Sequence, residues 1–458
     1  MRAKHREAAD HSLREPTRLR ELLSEKVNWQ ATASIRPFPN NPRIHSRAQI
    51  RKIQHSIRQG WTNPILVDEA NVTLAGHGRL AAAKELGLKE VPTLTLRGLS
   101  EAEKRAILIK DNKLAEESAW DFDSLKEHLV FLDNLGFAVE NTGFDTGEVD
   151  LIIDGASPQR LDPDDNMSAV PEGPPVTQPG DMWVLREHRL LCGDALVPAN
   201  FGQLLQGEKA QMVVTDPPFN VKIKGHVRGR SRKRHREFSM ASGEMSSSEF
   251  QGFLEAWVSE VIAASEDGSI HYIFMDWRHL RELLAVACPL FTEWKNLLVW
   301  NKANAGLGAF YRSKHELVLV FKSGSAPHIN NFGLGDKGRY RSNVLDYAGA
   351  NSFGRDRAET FDAHPTVKPC ALIADLIRDC SKRNGIILDP FSGSGTTILA
   401  AQRTGRQARA MEIDPLYVDL AVRRWQKATG LKACHAKTGL QFGEGQPPII
   451  STAYAGDR

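Results

Sequence analysis

Cysteine is scarce and scattered in this chain: Cys192, Cys288, Cys370, Cys380 and Cys434 are the only five in 458 residues, and no two form a C-x-x-C pair. That spacing argues against a zinc framework and for reduced thiols in a cytoplasmic setting. Long hydrophobic runs are missing as well. None approaches the roughly 18 residues of a membrane span, so no membrane partner is expected. The opening "MRAKHREAADHSLREPTRLR" is charged throughout and lacks the apolar stretch of a secretory signal. An excess of one charge is also absent, since 59 Lys and Arg against 56 Asp and Glu leave a net +3.

The charge that is present is clustered. "VKIKGHVRGRSRKRHREF", residues 221–238, carries Lys222, Lys224, Arg228, Arg230, Arg232, Lys233, Arg234 and Arg236 against one acid, Glu237. Such a run is either a solvated loop or an arm that tracks nucleic-acid phosphates. Its position directly after "TDPPFN", Thr215 to Asn220, favours the arm.

Length predicts about two to three domains. Residues 1–30 read as a basic tail, flexible or partly helical, and 31–97 as a compact α/β unit. In that unit "QIRKIQHSIRQG" is a helix ending at Gly60, "PILVD" a strand, "NVTLAGHGRLAAAKELG" a strand, glycine turn and helix, and "EVPTLTL" a strand. Residues 98–154 read as a helical segment and 155–179, rich in Pro, Asp and Gly, as a linker. From 180 to 443 strands alternate with helices, which predicts a doubly wound, mostly parallel sheet. Residues 444–458 are a tail. Ligands of such a sheet bind outside the carboxyl ends of its strands.

Two landmarks close strands of that sheet. In "QMVVTDPPFN" two prolines, which lack an N–H and fix φ, end the ladder just after Asp216. In "NGIILDPFSGSGTTILAAQRTGRQARAMEID" a strand leads to a turn with Gly393 and Gly395, then a helix, then a strand ending at Glu412. No lysine stands where a triphosphate-binding P-loop needs one. Glu412 follows the turn by about 20 residues, where an acid accepts from ribose hydroxyls. These residues alone predict a nucleoside-containing cofactor and leave dinucleotides open.

The acid-Pro-Pro-aromatic and F-x-G-x-G motifs together resemble the amino-group DNA methyltransferases that use S-adenosylmethionine. The order DPPF, then "HPTVKP" (His364 to Pro369), then the glycine strand resembles the permuted, beta class. The resemblance covers roughly residues 180–440. It implies a Rossmann-like methyltransferase sheet, double-stranded DNA as partner, and methyl transfer to an exocyclic amine of a flipped base, adenine N6 in the first reading. Asp216 and the Pro217 carbonyl would accept the amine hydrogens, held rigidly by Pro217 and Pro218, and Phe219 would stack on the base. Asp389, Phe391, Gly393, Gly395 and Thr396 would line the cofactor, and Glu412 would hold its ribose. Thr366 and Lys368 would reach its carboxylate end, and Asp194 its adenine.

Asp at position 216 leans the reading to adenine; cytosine N4 is the alternative. Arg339, Arg341, Arg355 and Arg357 lie in an irregular polar segment where guanine or phosphate contacts are expected. Pro369-Cys370 has the form of a covalent cytosine-carbon nucleophile, but it opens an apolar helical stretch and reads as structural.

Residues 34–96 resemble the ParB/sulfiredoxin-like domain, centred on "AGHGRLAAAKELG". Gly76, His77, Gly78 and Arg79 occupy the family's phosphate-binding turn, with His77 and Gly78 in place of its central residues. The resemblance implies a module that contacts DNA or a nucleotide. A homodimer is a further expectation. The reading from another class is a ParB-like DNA-binding protein whose methyltransferase half is inactive.

Overall fold

The computed structural model describes residues 26–116, 119–155, 165, 173–221, 243–302, 311–332, 341–347 and 368–444. Contacts divide the chain into two units, Met1–Asp145 and Thr146–Arg458. Among the described residues no helix is long and apolar enough to cross a membrane.

The first unit is built on β1 (Asn28–Ala31), α1 (Arg47–Gln59), β2 (Ile65–Val67), β3 (Thr73–Ala75), α2 (His77–Glu85) and β4 (Glu90–Thr95). The four strands lie in the order β1-β4-β2-β3. Ser46 caps α1 by accepting from the Gln49 N–H, and Gly60 ends it at φ 142°. Ile35, Ile65, Val67, Leu80, Ala83 and Val91 form the small core beneath. β1 begins inside the stretch expected to be a tail and pairs antiparallel with β4. Helices α3 (Glu101–Glu116) and α4 (Phe122–Asn134) follow.

The second unit opens with α5 (Thr146–Asp154), so the expected helical segment 98–154 divides between the units. Asp150 on α5 is buried and takes both Arg406 guanidinium nitrogens at 2.8 Å. Arg383 adds a third contact at 3.0 Å. Gly147 meets the Asn331 carbonyl so closely that a Cβ would stand 2.6 Å from its oxygen. A buried carboxylate needs such partners.

Then come β5 (Met182–Leu185), β6 (His188–Cys192), α6 (Pro198–Leu205), β7 (Ala210–Thr215), α7 (Ser247–Ala263), β8 (Ser265–Met275), α8 (Leu280–Leu290), β9 (Glu293–Asn301), β10 (His315–Lys322) and β11 (Val344–Asp346). After these are α9 (Cys370–Cys380), β12 (Ile386–Asp389), α10 (Thr396–Thr404), β13 (Gln407–Glu412), α11 (Pro415–Thr429) and β14 (Cys434–His435). The sheet order is β11-β9-β10-β8-β7-β12-β13-β6-β5-β14. The middle strands β8, β7, β12, β13 and β6 are parallel, while β10 and β5 add antiparallel flanks. One apolar cluster centres on α9, α10 and α11 with Trp425, another on α7 with Phe250 and Trp257. The central strands are therefore covered on both faces, as their near-continuous apolar runs require. This is the doubly wound α/β sheet expected from the sequence.

Candidate active site

β7 ends at Thr215, and the next four residues turn along the sheet edge. The Asp216 Oδ2 lies 2.5 Å from the Lys368 ammonium, which comes in just ahead of α9. The same ammonium is 3.1 Å from the Glu316 carboxylate on β10, and Glu316 also pairs with Lys302. Lys368 Nζ stands 5.6 Å from the Phe219 ring centroid and 5.2 Å from that of Phe274, a cation-over-aromatic arrangement. The other Asp216 oxygen, Oδ1, is buried with no hydrogen-bond partner among the described residues. An acceptor in that condition is costly to keep unless something arrives to donate to it.

The charges bear on one another. Burial pushes the Asp216 carboxyl up to about 6; Lys368 opposes this and the Glu316 charge reinforces it. Burial alone would raise Glu316 too, but Lys368 and Lys302 hold it below its ordinary value. Burial would lower Lys368, and Asp216 and Glu316 together hold it above its ordinary value. Two carboxylates thus share one buried ammonium.

Pro217 is buried, and Pro218 and Phe219 are half-buried. Asn220 ends the turn at φ 54°. Its side chain donates to the Met245 carbonyl at 2.8 Å and accepts from the Gly243 N–H at 3.0 Å. The chain leaving the Asp216 turn is therefore tied to the segment beginning at Gly243. Lys222, Lys224, Arg228, Arg230, Arg232, Lys233, Arg234 and Arg236, which lie between those ties, are outside the described residues.

The glycine turn follows β12, the strand beside β7. Asp389 is tied down completely: Thr215 Oγ1 donates at 3.0 Å, Thr397 Oγ1 at 2.6 Å and the Phe391 N–H at 3.1 Å. Asp389 thereby braces the turn against β7 and α10. Phe391 turns its ring onto Trp257 of α7, centroids 5.4 Å apart, and supports the loop from behind. Gly393 (φ 51°) has open space where a Cβ would stand, whereas at Gly395 (φ 83°) a Cβ would lie 2.7 Å from the Ala421 methyl. Gly395 caps α10, whose first residue is Thr396, so the helix N-terminus faces the edge. Arg424, buried on α11, donates to the Ser394 carbonyl at 2.7 Å and holds the loop from the far side.

β13 ends at Glu412. Its carboxylate accepts from the Gly393 N–H and the Asp414 N–H, both at 2.9 Å. Burial nevertheless pushes its carboxyl up to about 7, against those two bonds. Asp194 follows β6, the next strand, and the Gly193 N–H bonds the Glu412 carbonyl at 3.0 Å. Parallel neighbours therefore bring Asp216, the glycine turn, Glu412 and Asp194 along one edge in the order β7, β12, β13, β6.

Other expected residues are placed differently. Lys368 engages Asp216 and Glu316 rather than standing free for a cofactor carboxylate, and Thr366 lies outside the described residues, as does Arg339. Arg341 corrects an expected DNA contact. Its guanidinium reaches Asp379 and Asp375, each at 3.0 Å, because two buried carboxylates on α9 need a counter-charge. Cys370 is fully buried at the start of α9, and its N–H donates to Asp165 at 2.8 Å, a packing position. Glu316, Lys302, Asn220 and Arg424 were missed from the sequence. Only Asn220, beside the double proline, carried a local turn signal.

The first unit holds a separate cavity of about 270 Å³ lined by Arg43, His45, Trp61, the Gly76 to Arg79 turn and Asp111. Gly76 opens α2 in the left-handed region at φ 93°. Burial, with the charge of His45, keeps His77 below its ordinary value, and its Nε2 accepts from the Phe38 N–H at 3.3 Å. At Gly78 a Cβ would stand 2.8 Å from the end of Ile53. α1 thus approaches α2 closely at Gly78.

Family models match in three places: a DNA methylase over residues 210–423, a ParB-methyltransferase HTH domain over 123–179 and a ParB N-terminal domain over 20–113. Over 86 residues the chain is 40% identical to the ParB-like nuclease domain-containing protein YnaK of Escherichia coli (strain K12), covering 18% of this chain and 99% of YnaK. Over 282 residues it is 25% identical to the DNA adenine methyltransferase YhdJ of the same organism, covering 53% of this chain and 84% of YhdJ. The crystal structure of the M1.HpyAVI-SAM complex aligns with a TM-score of 0.38 at 22% identity, over 52% of this chain and 98% of that one.

Proposed function

The chain belongs to the amino-group (N6/N4) DNA methyltransferase family and carries a ParB-like domain ahead of its methylase, and we propose that it methylates N6 of adenine in double-stranded DNA. S-adenosylmethionine is the donor: when bound, it supplies a methyl group on a positively charged sulfur. The observation that carries the reading is the buried Asp216 Oδ1 at the end of β7, without a partner among the described residues and on the same edge as the glycine turn.

An exocyclic amine is a poor nucleophile because its lone pair is delocalised into the ring. Asp216 Oδ1 and the Pro217 carbonyl accept its two hydrogens and draw the nitrogen toward a pyramidal shape with the lone pair exposed. The proline pair fixes both acceptors before the base arrives, so little reorganisation remains at the moment of transfer. Phe219 offers its ring to the flipped base. The Asp216 carboxylate would take up the proton that the amine must lose on methylation. Glu412, Asp194 and the α10 N-terminus would hold the nucleoside and the charged end of the donor, and the basic sequence beyond Asn220 would hold the DNA backbone.

Adenine is preferred because position 216 is Asp. The test is to incubate the protein with methyl-labelled S-adenosylmethionine and genomic DNA, digest to nucleosides and identify the product. N6-methyladenosine in its deoxy form is expected. N4-methylcytosine would move the same chemistry to the other base, and unlabelled DNA would overturn the reading.

The cavity at Gly76 to Arg79 is read as a site for nucleotide phosphates, on the strength of Arg43 and Arg79 beside a glycine-opened helix N-terminus. Fluorescent nucleoside triphosphates should bind the full chain and lose affinity in Arg79→Ala; binding equal to that of a Lys26→Ala control would dismiss it.

A further inference from the structure

We propose that Glu316 is a positioning residue for the transfer step, holding the Lys368 ammonium so that Asp216 is released to accept the substrate amine. The inference rests on the methyltransferase reading above and assigns a role to a strand residue outside the motifs that led to it. Lys368 lies between the two carboxylates, 2.5 Å from Asp216 and 3.1 Å from Glu316, and its side chain is only 5% exposed. A buried ammonium cannot give up one anion unless another stays with it. Glu316, itself held by Lys302 across the β9–β10 pair, is that second anion.

The consequence is chemical. While Lys368 is on Oδ2, the Asp216 carboxylate is a weaker acceptor, because an ammonium draws off the charge that the amine hydrogens would feel. When a flipped base donates to Asp216, Lys368 swings its weight to Glu316, a displacement of one hydrogen-bond length between partners already in place. The Phe219 and Phe274 rings keep the ammonium attracted along the way. The charged groups that face this point are Asp216 after β7, Glu316 on β10, Lys302 after β9, Lys368 before α9 and Asp389 on β12.

Glu316→Gln keeps the shape and removes the charge. The transfer rate at saturating cofactor and DNA should fall about tenfold, because rate follows the acceptor's strength. Cofactor affinity should stay unchanged. The acid limb of the rate should move to lower pH, since the Glu316 charge that helps raise Asp216 is gone. Glu316→Asp, which restores the charge, should recover most of the rate. An unchanged rate and acid limb, or losses of cofactor affinity and melting temperature that match the loss of rate, would overturn the assignment. Should the wild-type protein transfer no methyl group, the functional reading fails separately. Carbon-13 titration of the Asp216 carboxyl in wild type and Glu316→Gln then decides: a downward shift supports the role of Glu316 and an unmoved titration refutes it.

Discussion

The two halves of the sheet edge are built to opposite rules. Around the glycine turn the charged groups are already satisfied: Asp389 accepts three hydrogen bonds, Glu412 two from backbone N–H groups, and Arg424 clamps the Ser394 carbonyl, while the buried Ser392 Oγ alone in the turn has no partner among the described residues. Around Asp216, one carboxylate oxygen has no partner among the described residues and one ammonium is divided between two acids. The charged groups of the first half are tied down before a ligand arrives, so binding there costs little ordering. On the proposed reading, the second half holds its acceptor in an unsatisfied state that a substrate amine would relieve. A binding surface and a reacting centre on one edge thus differ in how much of their hydrogen bonding is left undone.

The largest way to break that contrast is Asp216→Asn. Methyl transfer should fall roughly 10²- to 10³-fold, the usual loss when a preorganised electrostatic partner is removed. Cofactor binding, measured by calorimetry, should survive, because Asp216 belongs to the other half. Gly395→Ala strikes the finished half instead. A Cβ at φ 83° would meet Ala421 at 2.7 Å, so cofactor affinity should drop roughly ten- to a hundredfold. Glu412→Gln is milder, with an affinity loss of about tenfold, one charge-assisted contact to a hydroxyl. Cys370→Ser should change transfer least and yield no covalent DNA adduct, as its side chain is buried in the core at the start of α9; a denaturant-stable protein–DNA species lost in the variant would contradict this.

The glycine half was also the more legible from sequence. Gly393 and Gly395 announce backbone conformations and approaches that other residues rarely adopt, and Glu412 follows from the length of one helix and one strand. The double proline marked the end of β7 for the same kind of reason. Glu316 was not legible, because "HELVLVFK" reads as an ordinary strand and its partner Lys368 comes to it only through folding. Lys368 was assigned to the cofactor by motif order, which says nothing of the carboxylates that tertiary packing brings beside it. Arg341 illustrates the converse: an arginine in a polar, irregular stretch was bound inward by Asp375 and Asp379 on a distant helix. β1 was hidden because "NWQA" is an edge strand with no buried face. The docking of α5 was hidden because Asp150 pairs with Arg406 across 256 positions.

The division between the halves has its own pH signature. Glu412, pushed up to about 7, must be ionised to accept from ribose hydroxyls, so cofactor affinity should weaken as pH falls through that value. Asp216, pushed up to about 6, must be ionised to accept from the amine, so transfer should be lost as pH falls through a lower range. The most direct test is single-turnover methyl transfer at saturating cofactor and DNA, followed across pH beside the cofactor's dissociation constant. Two separate acid limbs are expected, the affinity failing first and the rate second. A rate that stays flat while affinity alone declines would contradict the central role of the Asp216 carboxylate.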